Sequence, residues 1–181
     1  MTQTEIEYRR VIDLCKDLFL KKNKDYGSSW RILRLPSLTD QIFIKAQRIR
    51  SIQEKGVQKI NDGIDGGFIG IVNYCIIAMI QLCLGKSSQM EFEEQELSQL
   101  YDEQVSKTLA LLLNKNHDYG EAWRDMRVSS MTDLILMKIY RTKQIEDNQG
   151  QTLVSEGVEA NYQDMLNYAV FCLILMGKAS V

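Results

Sequence analysis

The sequence predicts an all-α protein made of two tandem copies of one helical unit, packed as a pseudo-two-fold bundle. Apolar residues recur at helical spacing along several long segments, and strand signals are weak. The 181 residues include a single proline, Pro36, which is typical of long uninterrupted helices. The decisive observation is that one half of the chain repeats the other.

The repeat begins with KNKDYGSSWR at 22–31, which recurs as KNHDYGEAWR at 115–124, 93 residues later. Over 22–54, 15 of 33 residues are identical in the second copy. One inserted residue then shifts the offset to 94. Because this period is longer than that of solenoid repeats, it indicates a duplicated small domain, or fused pseudo-dimer. The predicted organisation is a first repeat at 1–85, an acidic linker at 86–97 and a second repeat at 98–181.

Each repeat is predicted to hold three helices, or four. Gly27 and Gly120 follow the first helix, where glycine commonly ends a helix. The second helix is predicted to begin near Ser37, with Ser37 and Asp40 as a capping box that Ser130 and Asp133 repeat. The first and third helices are predicted at about 5–23 and 62–84, with copies at about 97–116 and 156–176.

Composition excludes several classes of function. The net charge is −2, from 22 basic and 24 acidic residues, so duplex nucleic acid is a poor candidate partner. A single histidine, His117, excludes a zinc site built on several imidazoles. The four cysteines form no CxxC motif and are expected to be buried free thiols.

The chain is also expected to be cytoplasmic and without a membrane role. The N-terminus is polar and has no signal-peptide pattern. The longest apolar run, 68–84, is interrupted by Asn73 and Gln81 and is typical of a buried helix.

A set of acids at the start of the third helix is the first candidate site. Glu156, Glu159, Asp164 and Asn167 would share one face of a helix that begins at Glu156. Three converging carboxylates repel one another unless a cation neutralises them, and oxygen ligands favour Mg²⁺ or Mn²⁺. These three acids are therefore the predicted catalytic and metal-binding residues. The alternative is that first-turn acids only complement the helix dipole.

The first repeat keeps part of this acidic pattern. Asp62 and Asp65 are its predicted metal ligands, and Asn73 matches Asn167. Gly70 stands where the second repeat has Asp164, so the first site is expected to be damaged or specialised.

The motif Lys-Asn-x-Asp-Tyr-Gly, followed by Trp-Arg, is the second candidate. An Asx-turn and a helix end would explain the aspartate and the glycine, but leave the repeated Lys, Tyr, Trp and Arg unexplained. The functional interpretation is an aromatic platform for a base with cations for phosphates. Its predicted substrate-binding residues are Lys22, Asp25, Tyr26 and Trp30, and in the second repeat Lys115, Asp118, Tyr119, Trp123 and Arg124.

A basic pair on the second helix is the third candidate. Lys45 and Arg48 recur as Lys138 and Arg141, and their spacing places each pair on one helical face. The pairs would hold polyphosphate, or they would form ion pairs with acids of the neighbouring helix. The residues alone leave both interpretations open.

These motifs, in this order, resemble a domain of unknown function that is also called nucleotide modification associated domain 1. The resemblance rests on K-N-x-D-Y-G…W, the T-D…K-x-x-R helix and the acid-rich helix ending in Asn-Tyr, and it covers most of each repeat. It implies a role in nucleotide metabolism. More distantly, the layout is similar to the MazG-like all-α nucleoside triphosphate pyrophosphohydrolases, which implies Mg²⁺ and cleavage between the α and β phosphorus atoms. Their pairs of acids on two helices are matched here only by Glu156-x-x-Glu159.

Two functional hypotheses follow. In the first, the protein is a Mg²⁺-dependent nucleoside triphosphate pyrophosphohydrolase that binds a nucleotide or modified nucleotide. In the second, it is a non-catalytic module for a nucleotide or a protein partner, in which the repeated polar residues form a buried network between the halves. Under either hypothesis the chain could pair further as a homodimer.

Overall fold

The computed structural model describes residues 1–56 and 63–180, and within this part every regular element is helical. The predicted all-α fold is therefore confirmed, with three α-helices in each repeat. A short 3-10 helix, Ser29–Ile32 or Ala122–Asp125, follows the first helix of each repeat. The α-helices are α1 Gln3–Tyr26, α2 Leu35–Lys55, α3 Ile64–Leu84, α4 Glu94–Tyr119, α5 Val128–Asp147 and α6 Val158–Leu175.

The third helix of each repeat forms the centre of the bundle. Helices α3 and α6 pack against each other, α2 packs on α3, α5 packs on α6, and α2 contacts α5. The first helices cross over, since α1 contacts α6 as well as α3, and α4 contacts α3 as well as α6. One continuous hydrophobic core joins both repeats, as the fused pseudo-dimer requires.

Helix α3 is long and apolar enough to cross a membrane by length and composition, and 61% of its most apolar window is buried inside the protein. That burial is typical of a core helix. The cysteines agree with the prediction except at one position: Cys15, Cys75 and Cys172 are buried and free, whereas Cys83 is exposed.

Glycine ends the first helix of each repeat, as predicted. Gly27 and Gly120 both have a φ of 66°, and their amides donate to the carbonyls of Asn23 and Asn116. A residue with a side chain would be strained in this left-handed region. The preceding Asp-Tyr of the motif forms the last turn of the helix rather than an Asx-turn in a loop.

The predicted capping boxes are wrong. Helix α2 begins at Leu35 and α5 begins at Val128, each two residues before the serine, and no side chain caps either helix. Asp40 instead forms an ion pair of 2.9 Å with Lys143, and Asp133 forms one of 3.6 Å with Arg50. The duplication thus repeats an exposed ion pair between α2 and α5.

Buried hydrogen bonds join the repeats in the same reciprocal way. The Tyr8 hydroxyl of α1 donates to Asn167 Oδ1 of α6 at 2.9 Å, and the Tyr101 hydroxyl of α4 donates to Asn73 Oδ1 of α3 at 2.8 Å. Asn73 Nδ2 also donates to the Cys15 carbonyl at 3.0 Å. These bonds form the buried polar network that the second hypothesis expects.

A half-buried carboxyl lies at a further contact between the repeats. Glu146 Oε1 accepts from the Thr39 hydroxyl at 2.8 Å and from the Tyr162 hydroxyl at 3.3 Å. Burial raises the pKa of Glu146 above its ordinary value, although these two hydrogen bonds oppose the shift. At the position related by the duplication, the Gln53 amide donates to Thr132 Oγ1 at 3.1 Å.

Candidate functional site

The first repeat contains a cavity of about 430 Å³ between the end of α1, the 3-10 helix that follows it, α2 and α3. Its described lining combines basic and aromatic side chains with apolar and small residues and includes no carboxylate. Most of the first repeat's predicted motif is therefore brought to one place. The motif residues that line the cavity are Lys22, Asn23, Tyr26, Gly27, Trp30, Lys45, Asn73 and Tyr74.

One stripe of α3 forms a wall of this cavity. Its residues recur at intervals of three or four, so they share a single helical face. Two of them are glycines. A Cβ placed on Gly70 would lie 2.6 Å from Lys45 Cδ and Cε, closer than atoms can pack, so Lys45 uses the space that Gly70 leaves. The stripe consists of Gly66, Gly70, Asn73, Tyr74 and Ile77.

Two tyrosines and two lysines line this cavity together. Lys45 Nζ lies 5.7 Å from the centre of the Tyr74 ring, which is half-buried. Lys22 is exposed on the last part of α1, and Tyr26, in the last turn of the same helix, is 60% exposed. Aromatic faces and ammonium groups together can contact a planar base and an anionic group.

Trp30 forms part of the cavity wall and is itself almost fully buried. Its ring stacks on Phe92 with centroids 6.1 Å apart and planes at 10°. Its Nε1 is buried and has no acceptor among the described residues. Phe92 therefore covers one face of the Trp30 ring. Trp30 supports the cavity wall and does not present both ring faces to a ligand.

The corresponding region of the second repeat contains larger side chains. Asp164, in the place of Gly70, accepts from Lys138 Nζ at 2.6 Å and from Lys115 Nζ at 3.2 Å. These lysines match Lys45 and Lys22. The side chains of Asp164 and Lys138 are only 17% and 14% exposed, so the carboxylate is held between two ammonium groups.

Aromatic side chains also pack against each other in this region of the second repeat. Phe171 stands where the first repeat has Ile77, and it stacks on Trp123 at 4.2 Å with planes at 6°. The guanidinium carbon of Arg124 lies 4.4 Å from the centre of the same tryptophan ring. Trp123 therefore packs against two neighbours, and its role as a platform for a base stays a prediction.

A family comparison matches both repeats. The model of the family described as nucleotide modification associated domain 1 matches residues 22–82 and 115–176, which together make up more than half of the chain. The chain belongs to this family. Neither a curated protein nor a solved structure matches it.

The two nucleotide modification associated domains thus differ in the cavity that their shared motif surrounds. The family match begins at Lys22 and ends beyond Ile77, so it includes every motif residue of the first cavity. The sequence interpretation took Gly70 as a sign of a damaged or specialised site, and the structure places Lys45 in the space that the glycine leaves. The signal was present in the sequence as the paired differences Gly70/Asp164 and Ile77/Phe171.

The three acids predicted to bind metal do not share a face in the second domain. Glu156 precedes α6, which begins at Val158 after the N-cap Gly157. Glu156 lines an open groove with Lys138 and Arg141, whereas Glu159 lines a different groove beside Lys107. The helical-face argument fails for Glu156 because α6 begins later than predicted.

The described residues do not fit a Mg²⁺ or Mn²⁺ ion at this position. Asp164 is engaged by two lysines, and among the described residues no group of three or more His, Cys, Asp or Glu side chains could hold a metal ion. In the first domain, Asp65 pairs with Lys178 at 2.7 Å, which lowers the pKa of that carboxyl. Asp62 lies outside the described residues, so its metal role stays a prediction.

Other predicted site residues have structural partners. Arg124 forms ion pairs of 2.7 Å with both Glu7 and Glu121, which ties the second domain to α1. Asn167 is buried and accepts from Tyr8, as described above.

The rest are dispersed around the surface. Asp25 and Arg141 are exposed, Arg48 is half-buried, and Tyr119 is 80% exposed. Asp118 is exposed and lies 3.2 Å from His117 Nδ1. In the first domain, Lys22, Tyr26, Trp30 and Lys45 line one cavity, whereas Asp25 and Arg48 are not among its lining residues. In the second domain, Lys115 and Lys138 meet at Asp164, and Lys138 and Arg141 line one groove.

Proposed function

We propose that the protein binds a nucleotide in the cavity of the first domain. The observation that carries this proposal is that the motif shared by both domains lines an open cavity in one of them, with two lysines and two tyrosines. The family description supports a role connected with nucleotides. A cavity of about 430 Å³ is within the range of small-ligand sites, about 300 to 1,000 Å³.

The phosphate and the base of a nucleotide each have a counterpart in the cavity. The ammonium groups of Lys22 and Lys45 would donate hydrogen bonds to phosphate oxygens, and such charge-assisted bonds are stronger than neutral ones. Tyr26 and Tyr74 present ring surface to a base, and the apolar side chains of Leu18 and Ile77 cover its edges. The described lining residues include no Asp or Glu, and the Glu91 carboxylate lies next to Gly27.

The duplication provides the matched control for testing this site. Binding of nucleoside mono- and triphosphates, ordinary and base-modified, would be measured by calorimetry with and without Mg²⁺. Lys22→Ala should weaken binding about tenfold or more, the loss expected for one charge-assisted hydrogen bond. Lys115→Ala removes the equivalent lysine of the second domain, which pairs with Asp164, and should leave affinity unchanged. Equal effects of the two substitutions, or no binding by the wild-type protein, would contradict the proposal.

Nucleotide binding without hydrolysis is favoured by one further observation. Repeated polar residues such as Asn73, Asn167 and Arg124 are used to join the two repeats. This is the arrangement expected for the non-catalytic module. Pyrophosphate release from a panel of triphosphates in the presence of Mg²⁺ tests the alternative pyrophosphohydrolase, and we expect none above the uncatalysed rate.

We also propose that the protein acts in the cytoplasm and pairs as a homodimer. The near-neutral charge and the core position of α3 support a protein that works away from membranes and duplex nucleic acid. Sedimentation equilibrium would measure the mass in solution, and a monomer mass would contradict the homodimer. Fractionation of cells would test the compartment.

A further inference from the structure

Helices α2 and α5 share an exposed apolar centre on the outside of the bundle. Ile44 of α2 is 58% exposed, and Met137 and Tyr140 of α5 are 39% and 61% exposed. Ile44 and Met137 are equivalent positions of the two repeats, 93 residues apart. The Tyr140 ring packs edge-on against Phe43 of α2 with centroids 6.3 Å apart, which joins the two helices at this level.

Charged residues alternate in sign at the four corners around this centre. Asp40 of α2 pairs with Lys143 of α5 at 2.9 Å, and Arg50 of α2 pairs with Asp133 of α5 at 3.6 Å. Because early residues of α2 meet late residues of α5, the two helices run antiparallel. Each helix therefore has one acidic and one basic corner, and neighbouring corners differ in sign. Apolar side chains that cluster inside a polar rim are typical of interaction sites.

We infer that this α2–α5 face, made of the apolar centre and the four charged corners, binds a second copy of the chain in a two-fold dimer. The inference rests on the proposed homodimer and deepens it by naming the surface. A two-fold axis in the plane of the face, along or across the helices, brings every acidic corner of one copy against a basic corner of the other. It also places the two apolar centres on each other. The face is therefore complementary to itself, as a two-fold interface requires.

Two further carboxylates lie beyond the basic corners and do not oppose this pairing. Glu54 pairs with Arg50 at 3.0 Å, and Asp147 occupies the equivalent position on α5. In the paired copies these carboxylates lie opposite the starts of the helices, at the level of Pro36 and Ser129, which carry no charge. Like charges are thus kept apart along the whole face.

The size of the face is sufficient for a stable dimer. Helices α2 and α5 have 21 and 20 residues. Each is therefore about 30 Å long and about 10 Å wide, so that the pair presents roughly 600 Å² in projection. The accessible area of protruding side chains exceeds the projected area. The face is thus comparable to the surface of about 800 Å² that each partner buries in a specific complex.

The first test places a charge at the apolar centre. Sedimentation equilibrium of the full chain measures the dissociation constant of the dimer. Ile44→Asp changes both copies and should raise this constant about thirtyfold or more, the loss typical of a central interface residue. Ile32→Asp is the matched control, because Ile32 is 78% exposed and lies in a 3-10 helix outside the α2–α5 face. It should leave the constant unchanged. Both isoleucines are exposed, so both variants are expected to fold, and circular dichroism checks this.

The second test exchanges the charges of the corners. The quadruple variant Asp40→Lys, Lys143→Asp, Arg50→Asp and Asp133→Arg keeps an ion pair at each end of the face but reverses the sign of every corner. It should pair with itself, because the alternation persists. Its pairing with the wild-type protein should be weaker about tenfold or more, because corners of like sign then meet. Co-purification of tagged with untagged protein, after mixing at equilibrium, measures the pairing in each combination.

The outcomes separate this inference from the proposed homodimer. A wild-type dimer whose dissociation constant is unchanged by Ile44→Asp, or is raised equally by Ile32→Asp, overturns the inference and leaves a homodimer that uses another surface. Equal pairing of the quadruple variant with itself and with the wild-type protein also overturns it. A wild-type protein that is monomeric at every concentration overturns both. None of these results bears on the nucleotide site, which the lysine substitutions test.

Discussion

The Tyr8 hydroxyl donates a hydrogen bond of 2.9 Å to Asn167, and the two residues belong to different repeats. Tyr8 is fully buried and Asn167 nearly so, so neither group has water as a replacement partner. Tyr8→Phe should therefore lower the free energy of unfolding by about 1 to 3 kcal/mol, the usual loss when a buried acceptor is left unpaired. Urea denaturation of the wild-type protein and the variant measures this difference in the free energy of unfolding. Tyr101→Phe, which unpairs Asn73 Oδ1, is the reciprocal variant and should cost a similar amount.

Glu146→Gln should stabilise the protein at neutral pH. Because burial raises the pKa of Glu146, the unfolded chain loses this proton before the folded chain does as the pH rises. Folding stability therefore falls from the ordinary carboxyl pKa up to the raised folded value, and is constant above it. The glutamine does not titrate, and it copies Gln53 of the other repeat. Urea midpoints across this pH range should diverge in favour of the variant, and parallel curves would contradict the expectation.

Arg124→Ala should act on stability and not on nucleotide affinity. The substitution removes two ion pairs of 2.7 Å and the contact with the Trp123 ring, all within the second domain or its junction with α1. A loss of about 1 to 3 kcal/mol is expected from the partly buried geometry. Calorimetric titration of the folded variant gives the affinity. A large loss of affinity with unchanged stability would return Arg124 to the phosphate-binding role predicted from the sequence.

Ile77→Phe should block the first cavity. The substitution copies Phe171, whose ring fills the second domain by stacking on Trp123. Because Ile77 lines the same cavity as Trp30, a phenyl ring there should occupy the volume offered to a base and weaken nucleotide binding about tenfold or more. Phe171→Leu in the second domain is the control and should leave affinity unchanged. Undiminished binding by Ile77→Phe would show that the base lies elsewhere.

The fold could be predicted from the sequence because the information was local. Helical periodicity and the glycines at Gly27 and Gly120 determine helices and their ends within one turn, and the duplication was visible as identical residues. The start of α6 was less predictable. Gly157 serves as its N-cap, so Glu156 falls outside the helix and the predicted face of acids was never formed.

The site could be predicted only in part because it depends on distant neighbours. Four residues that line the first cavity, Lys22, Tyr26, Trp30 and Lys45, were predicted as binding residues because they recur in the second repeat, whereas Leu18, Gly66 and Ile77 were not. An ion pair of Lys138 with an acid of the neighbouring helix was one of the two interpretations left open, but no pattern within α6 reveals that Lys115 of α4 also approaches Asp164. That long-range contact distinguishes the second domain, where two lysines hold Asp164, from the first domain, where the equivalent lysines line a cavity.

The crossing of the first helices has a consequence for any attempt to divide the chain. Because Tyr8 bonds to Asn167 and Tyr101 bonds to Asn73, each half keeps a donor whose acceptor lies in the other. Fragments produced by proteolysis within 86–93, ahead of α4, should stay associated through gel filtration and recombine after separation in denaturant. Although the two copies are joined end to end in one chain, each depends on the other for its buried hydrogen bonds, as the subunits of an obligate dimer do.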